Sequence, residues 1–369
     1  MKERKHYYWI DLLRFLAAFL VMLAHYRATF FVEYGLLPES QQNIFTQIFY
    51  LLTRFGEEPV LVFFVLSGFL VGGNAIEKIL NNRIDVKSYA IDRLVRIFLP
   101  LIASSILVVI IFLITSPSIP YTDIIGSFFS LQGTYTESKY NPVLWSLAYE
   151  VWFYILMGCV MYLCKKNNSY MILAFLILTL CMYMLVRLKP LYLFIWFMGA
   201  FAFLFSRDNI SNKRIKIIAL LIMLPISFIV SQITSDSRSI TISSFDFLNR
   251  DITSLFLALI VCLLLHYLIT AIPSREYAIK IDKIGNKLAS FSYSLYLTHY
   301  PLMGLLLYCG FPQSPGLSIK SFSLYIIELL IGLIIAYLVY LMSEKHTYRV
   351  KLFLKGKKPV KKTAGVMAD

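Results

Sequence analysis

Cysteine is sparse in this chain and never clustered. Five are present, Cys159, Cys164, Cys181, Cys262 and Cys309. None has a CxxC neighbour and all lie in or beside apolar stretches, so neither a disulfide framework nor a zinc site is expected. A cleavage site is also missing. The basic start, Lys2 to Lys5, resembles the head of a signal peptide, but no small-residue site follows, and Asp11 and Arg14 interrupt the apolar run. This segment is expected to stay as a permanent span. No loop is long enough to fold a second soluble domain. No internal repeat, low-complexity segment or inverted pair of broken helices is visible, which removes the usual signature of a transporter. What the chain has is apolar residues: 59% of 369, against about 45–50% in soluble domains. It reads as an integral membrane protein.

A span needs about 20 mostly apolar residues. Ten stretches qualify: 9–31, 58–76, 97–115, 143–164, 169–186, 190–206, 215–233, 252–272, 288–309 and 322–342. The apolar run Phe45 to Phe55 is shorter and suits an interfacial helix. Lys and Arg flank these stretches unevenly. Of 35, 26 fall on the side shared by the two termini, 7 on the opposite side, and Arg14 and Arg27 lie within or at the end of the first span. The positive-inside rule then puts both termini in the cytoplasm. The expected fold is all-α: a polytopic membrane helix bundle of about ten spans, with residues 1–345 as the transmembrane domain and 346–369 as a basic cytoplasmic tail. The net charge of +14 is mostly this topology signal. The tail suits contact with anionic lipid, and after about Leu354 it lacks periodicity and reads as disordered. No nucleic-acid partner is expected.

Ionisable residues inside spans are costly, roughly 2.5–3.5 kcal/mol each near the bilayer centre. The first span carries Asp11, Arg14 and His25 on one helical face, since 11 positions return to within about 20° of the same direction. His25 then lies roughly 16 Å outward from Arg14. The stripe serves either as a polar contact between helices or as one wall of a passage ending in a general base. Ser67 and Gly68 read as a close-packing point, with a nucleophilic Ser67 as the other reading. Arg93 and Arg96 share a face at the cytoplasmic end of the third span. They either snorkel to lipid phosphates or clamp the phosphates of a nucleotide-like ligand. Asn141 and Pro142 suit a helix start. Trp145, Ser146, Tyr149 and Glu150 follow, and Glu150 is expected at a depth near that of His25, as its partner. In the ninth span Ser292, Tyr296 and His299 share a face, and Pro301 cannot donate to the Leu297 carbonyl, so a kink is expected there.

Five strings in this order, IDLLRFLAAFLVMLAH (10–25), FFVLSGFL (63–70), DRLVRIFLP (92–100), LWSLAYEVWFY (144–154) and SYSLYLTHYPL (292–302), resemble the acyltransferase-3 family of integral membrane O-acyltransferases. The resemblance covers the whole ten-span core. It implies a multi-pass protein, of the bacterial plasma membrane, that moves an acyl group from a cytoplasmic acyl-CoA to a hydroxyl of a cell-envelope or exported carbohydrate. Acetyl is the family's common choice and succinyl an alternative. No permanently bound cofactor and no metal are implied. Arg14 and His25 match the family's first-span arginine and histidine, Arg93 and Arg96 its arginine motif, thought to engage CoA phosphates, and Glu150 the acid after its WSL. One departure stands out: many members have paired arginines where this chain has Asp92 and Arg93. Some relatives also carry an extracellular hydrolase-like domain, and none is expected in residues 1–369, so direct transfer or transfer with a partner is the expectation.

The resulting expectation has His25 and Glu150 as catalytic residues and Arg14, Arg93 and Arg96 as donor-binding residues. Asp11, Ser67, Trp145, Ser146, Tyr296 and His299 line the passage. Acyl-CoA, a carbohydrate acceptor and membrane lipids are the expected partners, and a homo-oligomer or a polysaccharide-assembly partner is compatible with the sequence. A transporter of an envelope glycan or small solute, and a non-catalytic scaffold, are the competing classes.

Overall fold

Residues 8–116, 121–136, 138–165, 169–205, 213–235, 250–270 and 275–357 are described by the structure, a computed structural model. The basic start at Lys2 to Lys5 and the tail from 358 onward lie outside them. Among the described residues the chain is helical throughout, with no strand.

The first helix, α1 (Tyr8–Phe30), has Asp11 in its first turn and Arg27 in its last, the polarity that the helix dipole favours. Helix α2 (Ile44–Leu52) is capped by Asn43, whose side chain accepts from the Phe45 and Thr46 N–H groups at 3.1 Å each. It has nine residues, too few to span. Helix α3 (Glu58–Ser67), a π-helical turn (Gly68–Gly73) and α4 (Asn74–Leu80) form one rod. Helix α5 (Val86–Thr115) starts under Asp85, which accepts from the Ser88 N–H at 2.9 Å. The short α6 (Tyr121–Phe128) and a 3-10 turn at Pro142–Leu144 lead to α7 (Trp145–Leu163). Helices α8 (Met171–Arg187) and α9 (Pro190–Phe205) meet at 115°. Then come α10 (Lys213–Ser235), α11 (Arg250–Thr270), α12 (Arg275–Ala289), α13 (Ser292–Tyr308) and α14 (Ile319–Met342). A last helix, α15 (Thr347–Leu354), packs on α5. The basic segment after residue 345 thus opens with a helix against the membrane domain.

Over their described residues the ten apolar stretches lie mostly on helices, the ninth divided at Ser290 and Phe291 between α12 and α13, but length sets a narrower count. Among the described residues six helices are long and apolar enough to cross a membrane, or seven if the bent pair α8 and α9 is one span. Helices α8, α9 and α13 have 17, 16 and 17 residues, and among the described residues the apolar stretch within α10 is Leu220–Val230. The break before Pro190 splits what hydropathy alone treats as two full spans.

Close backbone approach explains one junction. A Cβ on Gly68 would lie 1.8 Å from the Trp196 carbonyl oxygen, and one on Gly199 would lie 2.1 Å from that of Val65. The α3–α4 rod and α9 therefore touch backbone to backbone, as small residues in membranes permit. The π turn sits at this contact. Such turns are rare and frequently mark functional sites.

Two buried clusters meet along α1 and α13. One takes Ile10, Ala17 and Val21 from α1 and Tyr296 and Leu297 from α13, packed with α3, α7, α9 and α11. The other takes Ala18, Met22 and Tyr26 from α1 and Leu295, Leu302 and Met303 from α13, packed with α14. Helix α13 runs on through Pro301. The Leu297 carbonyl that Pro301 cannot serve instead accepts from Asn141 Nδ2 at 3.0 Å. Asn141 does not cap the helix that follows it; it ties the entry to α7 onto α13.

Candidate functional site

A cavity of about 1230 Å³ opens between α1, α3, α4, α5, α7 and α13. Its exposed wall is polar and basic, with Lys78, Asn81 and Arg83, and Asp92, Arg93 and Arg96 line it half-buried. Its inner end is closed by the buried Ser146, Leu147 and Tyr296. Between lie Asp11, Arg14, Glu150, Tyr154 and Tyr293.

Arg14 pairs with Asp11 at 3.6 Å, three residues earlier on α1. It also lies within electrostatic reach of Arg96, Glu344 and Glu150. Glu344, just after α14, accepts from the Ser294 hydroxyl at 3.0 Å and from its N–H at 3.3 Å. The cavity's midsection is thus a mixed charge cluster in which two arginines are balanced by acids from three segments. Tyr293 stands in its wall with a buried hydroxyl that has no hydrogen-bond partner among the described residues.

Glu150 receives a directed chain of hydrogen bonds. Tyr154, one turn further along α7, donates its hydroxyl to the carboxylate. Trp196 Nε1 can only donate, and it donates to Ser67 Oγ at 3.1 Å. The single Tyr154 proton goes to Glu150, so Ser67 donates its own to the Tyr154 oxygen, 3.0 Å away. The chain runs Trp196 to Ser67 to Tyr154 to Glu150, and its free acceptor end faces the cavity. The Arg93 guanidinium lies 5.6 Å from the centre of the Tyr154 ring, a cation–π distance. Asp92, beside it, meets Lys355 at 2.7 Å and Lys351 at 3.8 Å, both delivered by α15.

His25 is elsewhere. It does not line the cavity, and neither does His299. His25 Nδ1 lies 3.1 Å from His299 Nε2, with the two rings stacked 5.2 Å apart. His299 Nδ1 lies 3.1 Å from the Leu295 carbonyl oxygen. A carbonyl only accepts, so His299 carries its proton on Nδ1 and presents a lone pair at Nε2. His25 must then donate from Nδ1, which leaves its own Nε2 as an unprotonated base. His299 is fully buried and His25 partly exposed. Tyr296 stands between the cavity and this pair. Its hydroxyl contacts the Val143 carbonyl at 2.8 Å and Ser146 at 2.7 Å, and its ring centre lies 5.8 Å from that of His299.

Of the residues singled out in the sequence, Asp11, Arg14, Ser67, Arg93, Arg96, Ser146, Glu150 and Tyr296 line one cavity. Trp145 does not; it packs against Phe64, Tyr149 and Tyr192 in an aromatic cluster. The expected pairing of His25 with Glu150 is replaced by His25 with His299, because α13 packs along α1 and brings its histidine alongside. The cavity lining reaches Tyr296 and takes in neither histidine. Tyr154, Trp196 and Glu344 escaped notice in the sequence, and Lys351 and Lys355 were read only as part of a basic tail in contact with lipid. Tyr154 had a readable signal, four residues after Glu150 on one face; Trp196 and Glu344 had none.

The acyltransferase domain family model matches residues 7–341. No curated protein and no solved structure matches the chain. The family match takes in every cavity-lining residue named above, both histidines and all five sequence strings, and on it the chain belongs to the acyltransferase-3 family of membrane acyltransferases.

Proposed function

We propose that this chain is a plasma-membrane O-acyltransferase that moves an acyl group, acetyl in the simplest case, from cytoplasmic acyl-CoA to a hydroxyl of an envelope or exported carbohydrate. In this reading ten helices cross or re-enter the bilayer and both termini are cytoplasmic, as the 26-to-7 distribution of Lys and Arg favours. The donor phosphates dock against Arg93 and Arg96, whose guanidinium forks suit phosphate oxygens. The pantetheine arm lies along Arg14 and Glu150, and the thioester approaches the histidine pair when Tyr296 turns aside. Glu150, held by Tyr154, offsets the charge of Arg14 in the cavity wall.

His25 Nε2 takes the acceptor hydroxyl's proton while that oxygen attacks the thioester carbon. The new C–O bond forms and the C–S bond breaks. The departing thiolate then recovers the proton from His25. His299 holds His25 in the tautomer that leaves Nε2 free, and shares the charge that develops. The exposed edge of His25, outside the arginine-lined cavity, leaves an approach for the acceptor distinct from that of the donor.

The observation that carries this reading is the histidine pair whose tautomers are fixed by the Leu295 carbonyl, one tyrosine beyond a cavity lined by four arginines. Mass spectrometry of surface glycans from cells with and without the chain tests it. A loss of one acyl group per repeat is expected in its absence, and identical glycans would refute it.

A further inference from the structure

Asp92 is out of place at the mouth of a phosphate site. It lines the cavity next to Arg93 and close to Arg96, where a free carboxylate would repel a polyanion. The structure supplies a counter-charge from far along the chain. Lys351 and Lys355 are four residues apart, on one face of α15, and both reach Asp92, at 3.8 Å and 2.7 Å. Lys355 ends α15, where the helix dipole favours a cation. Lys351 is also within electrostatic reach of Arg93 and Arg96. Two lysines gathered beside two arginines repel one another, and Asp92 is the acid that holds them there.

We infer that Lys351 and Lys355 are positioning residues for the donor site: they neutralise Asp92 so that Arg93 and Arg96 present an uncompensated charge to the phosphates of CoA. This rests on the donor reading above and adds the C-terminal helix to it. Helix α15 is then a part of the binding site that acts through Asp92, without touching the ligand.

The test is equilibrium binding of CoA to the full chain in neutral-lipid nanodiscs. The variants are Lys351→Gln with Lys355→Gln, Asp92→Asn, all three together, and Arg93→Ala with Arg96→Ala. The double lysine variant is expected to weaken CoA about five- to tenfold, since it exposes a like charge beside the ligand. Adding Asp92→Asn is expected to restore affinity to within about twofold of wild type, because no carboxylate then remains to be screened. If the lysine variant binds as wild type does while the arginine variant loses affinity, the inference fails and the donor reading stands. If the lysine variant weakens and Asp92→Asn does not rescue it, the lysines bind phosphate directly and the neutralising role is overturned. If the arginine variant binds CoA as tightly as wild type, the donor reading itself falls, and this inference with it.

Discussion

Nδ1 of His25 and Nε2 of His299 lie 3.1 Å apart, and the Leu295 carbonyl behind His299 decides the direction of that hydrogen bond. Helices α1 and α13 are far apart in sequence. Their contact turns an isolated membrane histidine into one with a defined tautomer and a defined basic nitrogen.

Replacing His25 by Ala should lower acyl transfer about 10²–10⁴-fold, the range that a positioned general base supplies. Binding of CoA to the arginine-lined cavity should be unchanged, because His25 does not line it. Glycan acylation in cells and CoA binding to the purified chain check the two halves. Normal acylation by a well-expressed variant would remove His25 from the chemistry.

His299→Ala should slow turnover about 10–100-fold, from the roughly 1–3 kcal/mol lost when a buried hydrogen-bond partner is deleted. The effect should fall on kcat, with KM for the acyl donor little changed. His299→Gln should recover part of the rate, since an amide oxygen can accept from His25 Nδ1. A rise in KM with kcat intact would make His299 a wall of the donor path and not a support for His25.

How much of this was readable in the sequence differs from element to element. Over their described residues the apolar stretches lie mostly on helices, because a membrane helix needs a long hydrophobic run. The right-angle break between Arg187 and Pro190 was only a proline. His25 was legible as an ionisable residue in an apolar run, but its neighbour was not: Glu150 and His299 are both polar residues in apolar helices, and only packing chooses between them. Arg14, Arg93, Arg96 and Glu150 were visible as charges where lipid should be, and the fold gathers them around one cavity. Asp92 stood out as a departure, yet Lys351 and Lys355 looked like lipid contacts until α15 folded back on α5. Nothing in the sequence foretold the chain of hydrogen bonds from Trp196 to Glu150, since it crosses three helices through single atoms.

Asn141 and Pro301 should show compensation. Asn141→Ala strips the Leu297 carbonyl of its donor, at a cost of about 1–3 kcal/mol. Adding Pro301→Ala gives residue 301 an N–H that can reach that carbonyl within the helix. The double variant should therefore be more stable than Asn141→Ala alone. Thermal unfolding in detergent measures the order, and equal or lower stability of the double variant would show that Asn141 matters for another reason.

Gly68 and Gly304 offer a matched contrast in two helical segments. A Cβ on Gly68 would fall 1.8 Å from the Trp196 carbonyl oxygen, and backbone cannot swing aside as a side chain can. Gly68→Ala must push α9 away from the α3–α4 rod. That movement breaks the Trp196 to Ser67 hydrogen bond and unseats the chain that ends on Glu150. Overpacking of this kind costs about 1–3 kcal/mol or more, so a sharp fall in folded protein is expected, with activity per folded molecule reduced as well. A Cβ on Gly304 meets nothing within 4 Å, and alanine gains up to about 1 kcal/mol over glycine inside a helix. Gly304→Ala should leave the melting temperature unchanged or raise it. Because propensity favours alanine at both positions, opposite shifts would isolate the α3–α9 contact as the cause. Equal shifts would mean that the two backbones are not in contact, and the seating of Ser67 against Trp196 would have to be redrawn.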